Sequence, residues 1–395
     1  MPKKSFRFFM FCLLLLTVAS VLIVYAVPPS AAVDTSTFPV LEEEHAESAP
    51  VPTLSAASFA LFDPVSKAFY AGQDMDARRP MASTTKIMTA LLALELLDLD
   101  TVVTVPSDAV GTEGSSVYLF AGEQITVRTL LYALMLSSAN DAAVTLALCA
   151  SGSIEDFASR MNERAAALGM VNTHFCNPHG LPNGEHYSTA RDMALLTAAA
   201  LENATFAQIV ATKRYTAPQN GTGAERLFVN HNKLLSGLDG AVGVKTGYTR
   251  ASGRCLVSAA TREGLTLIAV TLQAPNDWRD HTALLEWGFS QYRSFSPLPD
   301  PITLPIVGGT QGQVCIRPST APKLTLCAAH PQITCRVEAP RFLFAGVNRG
   351  QVCGRALYYA GDTLLCEIPL IAEEDVPQTA AQPNLWKRIQ NLFQR

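Results

Sequence analysis

Charge is scarce in this chain. Asp, Glu, Lys and Arg make up 16% of its 395 residues, and neither sign dominates, with 30 basic groups against 34 acidic ones and a net charge of −4. Without a basic excess there is no electrostatic footprint for nucleic acid. No Cys-x-x-Cys pair occurs, which leaves a zinc ribbon or a thioredoxin-type redox site unsupported. The 24 glycines and 24 prolines follow no three-residue period, and no heptad pattern persists, so collagen-like and coiled-coil chains are excluded. Apolar residues are plentiful at 48%, which argues against a largely disordered polypeptide and, at this length, allows two or three domains with ample cores.

Part of the positive mean hydropathy of +0.18 comes from the front of the chain. Lys3, Lys4 and Arg7 precede an uncharged apolar run, Phe8–Val27, the layout of a secretion signal. Its 20 residues are also enough to span a bilayer as an N-terminal anchor. Ser30-Ala31-Ala32 offers small residues for cleavage, so residues 1–32 are expected to be a removed signal peptide and the rest to be exported. Losing the three basic residues takes the net charge from −4 to −7. The eight cysteines beyond this point permit disulfides, with 105 possible pairings. Cys335 shares alternating parity with Ile333 and Val337, and Cys366 with Leu364 and Ile368, so both read as small apolar residues within strands.

Residues 33–54 are rich in Pro, Ala, Ser and Glu without an apolar period and read as a linker. From residue 55 to 296 the pattern is mixed. Ser58–Phe62 and Ala68–Ala71 flank a turn as a hairpin, and Ser83–Leu97, Val127–Leu136, Asp141–Cys149, Ile154–Leu168, Thr189–Leu201 and Trp278–Tyr292 read as helices. Gly253–Ala260 and Leu265–Gln273 read as adjacent strands. From 297 to 373 short strand candidates recur between Pro and Gly, including Leu324–Cys327, predicting a small β-sandwich. Residues 374–395 hold a polar spacer and then Asn384–Arg395, where Leu385, Trp386, Ile389, Leu392 and Phe393 form one stripe beside Lys387, Arg388 and Arg395. That pattern predicts a helix lying on a membrane surface.

Three short motifs could carry chemistry. Ser83-Thr84-Thr85-Lys86 puts a hydroxyl and an amine one helical turn apart, and a lysine with a lowered pKa can serve as the base that a serine nucleophile needs. Ser138-Ala139-Asn140 offers a second hydroxyl and an amide between two helices. Lys245-Thr246-Gly247 follows Val242-Gly243-Val244, where a lysine could meet a carboxylate and a glycine could let a substrate backbone approach. A phosphate loop is ruled out there because Val244, not glycine, precedes Lys245. Alone, the first motif reads equally as a helix cap with a surface lysine, and the second as an interhelical turn.

In this order and spacing the three motifs resemble those of low-molecular-mass penicillin-binding proteins of the serine-type D-alanyl-D-alanine carboxypeptidase family. Arg79–Ala90, Asn177-Pro178-His179-Gly180-Leu181, Tyr187–Asp192 and Gly243–Gly253 match the family's segments as well. The resemblance implies the α/β (α+β) fold shared with serine β-lactamases, an antiparallel sheet flanked by helices with a helical subdomain. It further implies that Ser83 attacks the bond between two D-alanines of a peptidoglycan stem peptide, with Lys86 as base and Ser138 as proton relay. Asn140 would hold the substrate amide, Lys245 and Thr246 the terminal carboxylate, and Gly247 and Tyr248 the substrate backbone and oxyanion, with Arg279 as a further candidate near the carboxylate. β-Lactams would acylate Ser83, and no cofactor or metal is implied. Ala139 stands where the family often has glycine, and where a class A β-lactamase would have aspartate. Ala139 and the extra β domain count against a β-lactamase, and the complete residue set counts against a silent wall-binding scaffold.

Overall fold

The structure, a computed structural model, describes residues 32–36, 49–217, 225–296, 301–327, 333–360 and 362–379. The run Phe8–Val27 and the segment Asn384–Arg395 lie outside these residues. Contacts divide the chain into two units, one of them His45–Phe295 with Lys323–Ala329.

At the centre of that larger unit is a five-stranded antiparallel sheet ordered Ala68–Gln73, Ser58–Asp63, Leu265–Leu272, Gly253–Arg262 and Ala241–Thr249. Its middle strands are buried on both faces. Phe59, Leu61, Leu265, Leu267 and Ala269 pack with Leu284 and Leu285 of the helix Asp277–Gln291, while Ala60, Phe62, Ile268, Val270 and Leu272 pack into the helical side. Two-sided burial is why these strands read as continuous apolar runs with little alternation. Helices Val127–Leu136 and Asn140–Ser151 are buried over most of their length, and Thr126 caps the first by accepting from the Thr129 N–H. The fold expected from the resemblance is the one observed, an antiparallel sheet with helices on both faces.

His281 ties the far helix to the sheet. It is fully buried, with Nδ1 2.5 Å from Ser258 Oγ and Nε2 2.9 Å from Thr271 Oγ1 on two neighbouring strands. A neutral ring has one N–H, so one hydroxyl donates to it and the other accepts from it.

Leu324–Cys327 departs from the expected boundary. It pairs with Tyr292–Phe295 and groups with the larger unit, where Thr325 Oγ1 donates to the buried Asp63 carboxylate. A short strand's partner is chosen by available edges and polar groups, which local pattern does not record.

The other unit is a seven-stranded sheet in the order Ala32–Ser36, Ile333–Glu338, Val352–Ala360, Thr363–Ala372, Gln313–Pro318, Ile302–Val307 and Leu343–Phe344. Its hydrogen bonding is continuous, so the expected sandwich is not built from two separately bonded sheets. Val314 with Ile316, and Ile333 with Cys335 and Val337, are buried on alternate positions. Ala32–Ser36, read from sequence as the last residue of the signal and the start of the linker, is an edge strand here, paired with Ile333–Glu338. Backbone pairing to an open edge needs no apolar period. The eight cysteines from Cys149 to Cys366 are all free thiols.

Burial lowers the His281 pKa from 6.5 to about 3, and that of His186 to about 4. Because the folded form resists protonation, the stability of the neutral rings is complete above 6.5 and is lost as pH falls toward these values. The thermal midpoint is therefore expected to drop between pH 6.5 and 4, and a His281→Asn variant, less stable at neutral pH, should show a shallower drop in melting experiments.

Candidate active site

Ser83 sits in a 3₁₀ turn, Ala82–Thr85, that runs directly into the helix Lys86–Leu96. The turn starts from a left-handed Ala82, φ 49°, an uncommon conformation for a residue with a side chain. Its carbonyls are tied down by its own threonines: Thr84 Oγ1 donates to Met81 O at 2.6 Å and Thr85 Oγ1 to Ala82 O at 2.8 Å. His186 completes a relay. Cys176 N–H donates to its Nδ1, which leaves Nε2 to donate to Thr85 Oγ1 at 2.8 Å.

The loop Asn177–Leu181 clamps the same turn. Asn177 Oδ1 accepts from the Gly180 N–H, Thr89 Oγ1 donates to Pro178 O, and Lys86 Nζ donates to His179 O. Gly180 has φ +89°, and a Cβ there would lie 1.9 Å from Ala82 O, so only glycine fits. His174 and His179, which stand near Cys176 in sequence, turn ring nitrogens toward the loop backbone, Nδ1 lying 2.7 Å from Glu185 O in His174 and accepting from Leu181 N–H in His179.

Lys86 is wholly buried, and its Nζ lies 2.9 Å from Ser83 Oγ, 2.7 Å from Asn140 Oδ1 and 2.7 Å from His179 O. Burial holds its pKa well below the usual lysine range, the positive charge of Lys245 lowers it further, and Asp141 opposes both. In the neutral amine, the two carbonyl oxygens can only accept and consume both N–H groups. The lone pair is left facing the Ser83 hydroxyl. That is the arrangement a general base for a serine requires.

Asn140 opens the helix Asn140–Ser151 and is held by both ends of its amide, Oδ1 accepting from Lys86 and Nδ2 donating to Glu113 O. Oδ1 thus grips the base, and Nδ2 keeps a second N–H beyond the one given to Glu113. Next to it, the buried Asp141 accepts from Ser116 Oγ and from the Val117 and Leu119 N–H groups, fixing the loop beside the site. Ser138 is left-handed, φ 59°, nearly buried, and lines the cleft.

Ala241–Thr249 is the edge strand of the sheet, so it presents unpaired backbone groups along the site. Gly247 lets it lie against the nucleophile, since a Cβ there would sit 3.1 Å from Ser83 N. Lys245 is buried with Nζ on Thr246 O at 3.0 Å, and burial lowers its pKa to about 7. A cleft of about 720 Å³ opens over Ser83, Ser138, Thr246, Gly247 and Tyr248. Its lining also includes Arg279, a residue singled out from the sequence, and His231, Lys233 and Arg254, which were not. Arg254 stands opposite Tyr248 in register, and its Nε donates to the buried Asp277 carboxylate at 2.9 Å. Only that strand register could have pointed to it. With Asp277 offsetting Arg254, the cations left in the lining are Lys233 and Arg279.

The sequence profile of the family described as D-alanyl-D-alanine carboxypeptidase matches residues 43–276. The chain belongs to this family. It is 43% identical to a D-alanyl-D-alanine carboxypeptidase of Streptomyces sp. strain K15 over 234 residues, 54% of this chain and 80% of that one. It is 31% identical to D-alanyl-D-alanine carboxypeptidase DacC of Escherichia coli strain K12 over 364 residues, covering 87% and 89%. Among solved structures, penicillin binding protein 5 from Haemophilus influenzae superposes with a TM-score of 0.66 at 28% identity, covering 84% of this chain and 100% of that one. The Streptomyces relative matches little more than half of this chain, whereas the Escherichia coli one extends into the second unit of this carboxypeptidase family member.

Removing the Lys245 charge should make Lys86 easier to protonate. The acid limb of the acylation rate is expected to move to higher pH in Lys245→Gln, read by stopped-flow with a chromogenic β-lactam. A limb at unchanged pH would contradict the coupling of the two lysines.

Proposed function

We propose that this carboxypeptidase removes the terminal D-alanine from peptidoglycan stem pentapeptides through an acyl-enzyme on Ser83. The observation that carries the reading is the Lys86 amine, buried and bonded so that its lone pair faces the Ser83 hydroxyl. Ser83 Oγ attacks the carbonyl of the penultimate D-alanine while Lys86 takes its proton. The Ser83 and Tyr248 N–H groups receive the oxyanion, and Ser138 passes a proton to the departing amine. Lys245 and Thr246 bind the substrate's terminal carboxylate, with Arg279 and Arg254 lining the same cleft as Thr246. Gly247 gives the substrate backbone room along the edge strand. Asn140 positions Lys86 through Oδ1 and holds the substrate amide through Nδ2. Water then releases the shortened peptide. β-Lactams carry the same carboxylate and a strained amide, so they stop at the acyl-enzyme.

A peptidoglycan substrate and the signal-like run Phe8–Val27 support a location at the outer face of the bacterial cytoplasmic membrane. In this layout residues 1–32 direct export or anchor the chain, 33–54 lead from the β unit's edge strand into the catalytic domain 55–296, and 297–373 form the β domain apart from Leu324–Cys327, which joins the catalytic one. Residues 374–395 end in a membrane-associating helix. Among the described residues no single helix is long and apolar enough to cross a membrane.

Intact mass after incubation with a penicillin should show one adduct, absent in Ser83→Ala. The same variant should lose at least about 10³-fold in D-alanine release from a pentapeptide. A wild-type protein that forms no adduct and releases no D-alanine would overturn the assignment.

A further inference from the structure

Two large aromatic side chains stand out of the β unit into solvent. Phe344 is 71% exposed and Phe342 43%, their rings 5.4 Å apart and edge to face. Phe344 ends the edge strand Leu343–Phe344 and Phe342 immediately precedes it; that strand pairs in parallel with Ile302–Val307, placing the 52%-exposed Val307 beside Phe344. An apolar cluster of this kind on a sheet edge is costly to leave in water and marks a contact surface.

What lies near it is fixed by the backbone. Thr379 N–H donates to Gly308 O, next to Val307, and Gln378 Nε2 donates to Ala345 O, next to Phe344. The chain therefore leaves the described unit at the same edge that carries the two phenylalanines. Asn384 follows five residues later, so it lies within about 17 Å of Thr379 even with the backbone fully extended. The segment that carries the amphipathic stripe and basic residues therefore begins within reach of the edge that bears the aromatic pair.

We propose that Phe342 and Phe344 are a second membrane contact, inserting their rings into the headgroup region of the bilayer on which residues 384–395 lie. This rests on the proposed membrane association of that segment, which would hold the edge at the lipid surface. Lys387, Arg388 and Arg395 supply attraction to anionic lipid, and the aromatic pair supplies apolar burial, as interfacial anchors do. Arg341, exposed beside Phe342, and the acidic Glu373, Glu374 and Asp375 stay in place when the rings are removed, so the rings' own apolar contribution should persist at high salt.

The test uses residues 33–395 with vesicles of phosphatidylethanolamine and phosphatidylglycerol. In sedimentation, a Phe342→Ser, Phe344→Ser double variant should bind about ten-fold more weakly than its parent at low and high salt, with unchanged acylation by penicillin as the check on folding. In Phe344→Trp, the added indole should shift to the blue with vesicles and be quenched by brominated acyl chains beyond the quenching of the parent chain. Removal of 383–395 tests the underlying reading separately, since full binding without that segment would refute the tail and not the edge. Equal binding of the double variant and its parent would overturn the proposal. So would an indole already shifted to the blue without vesicles that reverts on truncation, which would mean that the chain's own terminal segment covers the edge.

Discussion

A lysine amine taken wholly out of water is tolerable if it sheds its proton or finds acceptors for each N–H, and Lys86 is arranged for both. Keeping an unpaired ammonium in such a place costs several kcal/mol. Desolvation and the second buried lysine favour the neutral form, and two fixed carbonyl oxygens absorb its remaining hydrogens. The nucleophile is activated by what surrounds the base more than by the serine itself. The amide of Asn140, the carbonyl of His179 and the charge of Lys245 come from three distant parts of the chain and converge on one nitrogen.

The same requirement accounts for the backbone around the site. To hold Ser83 over Lys86, the chain enters its helix through a left-handed alanine, and Thr84, Thr85 and His186 restrain the carbonyls that this exposes. Gly180 and Gly247 approach that turn from two sides, each where a Cβ would crowd its backbone. The threonines between Ser83 and Lys86 therefore do more than space the motif.

Much of this was legible in the sequence. The helix Val127–Leu136 is found with the expected bounds, and the central strands differ by a residue or two, because their apolar runs are long and end at turn residues. Ser83 and Lys86 follow from the geometry of one helical turn. Less local features were hidden. The bond between Lys86 and Asn140 depends on how two helices pack. Arg254 looks like any strand arginine until the register sets it across from Tyr248. Leu324–Cys327 and Ala32–Ser36 found partners by open edges, and neither carries a pattern that names its neighbour.

The central claim is that Lys86 is neutral when it meets the substrate. Its side chain can be observed directly, by following the ε-carbon resonance of ¹³C-labelled lysine against pH, with Lys86→Arg used to assign the signal. The account predicts one lysine titrating well below the surface lysines and assigned to Lys86. A Lys86 signal that titrates with the surface lysines would contradict it.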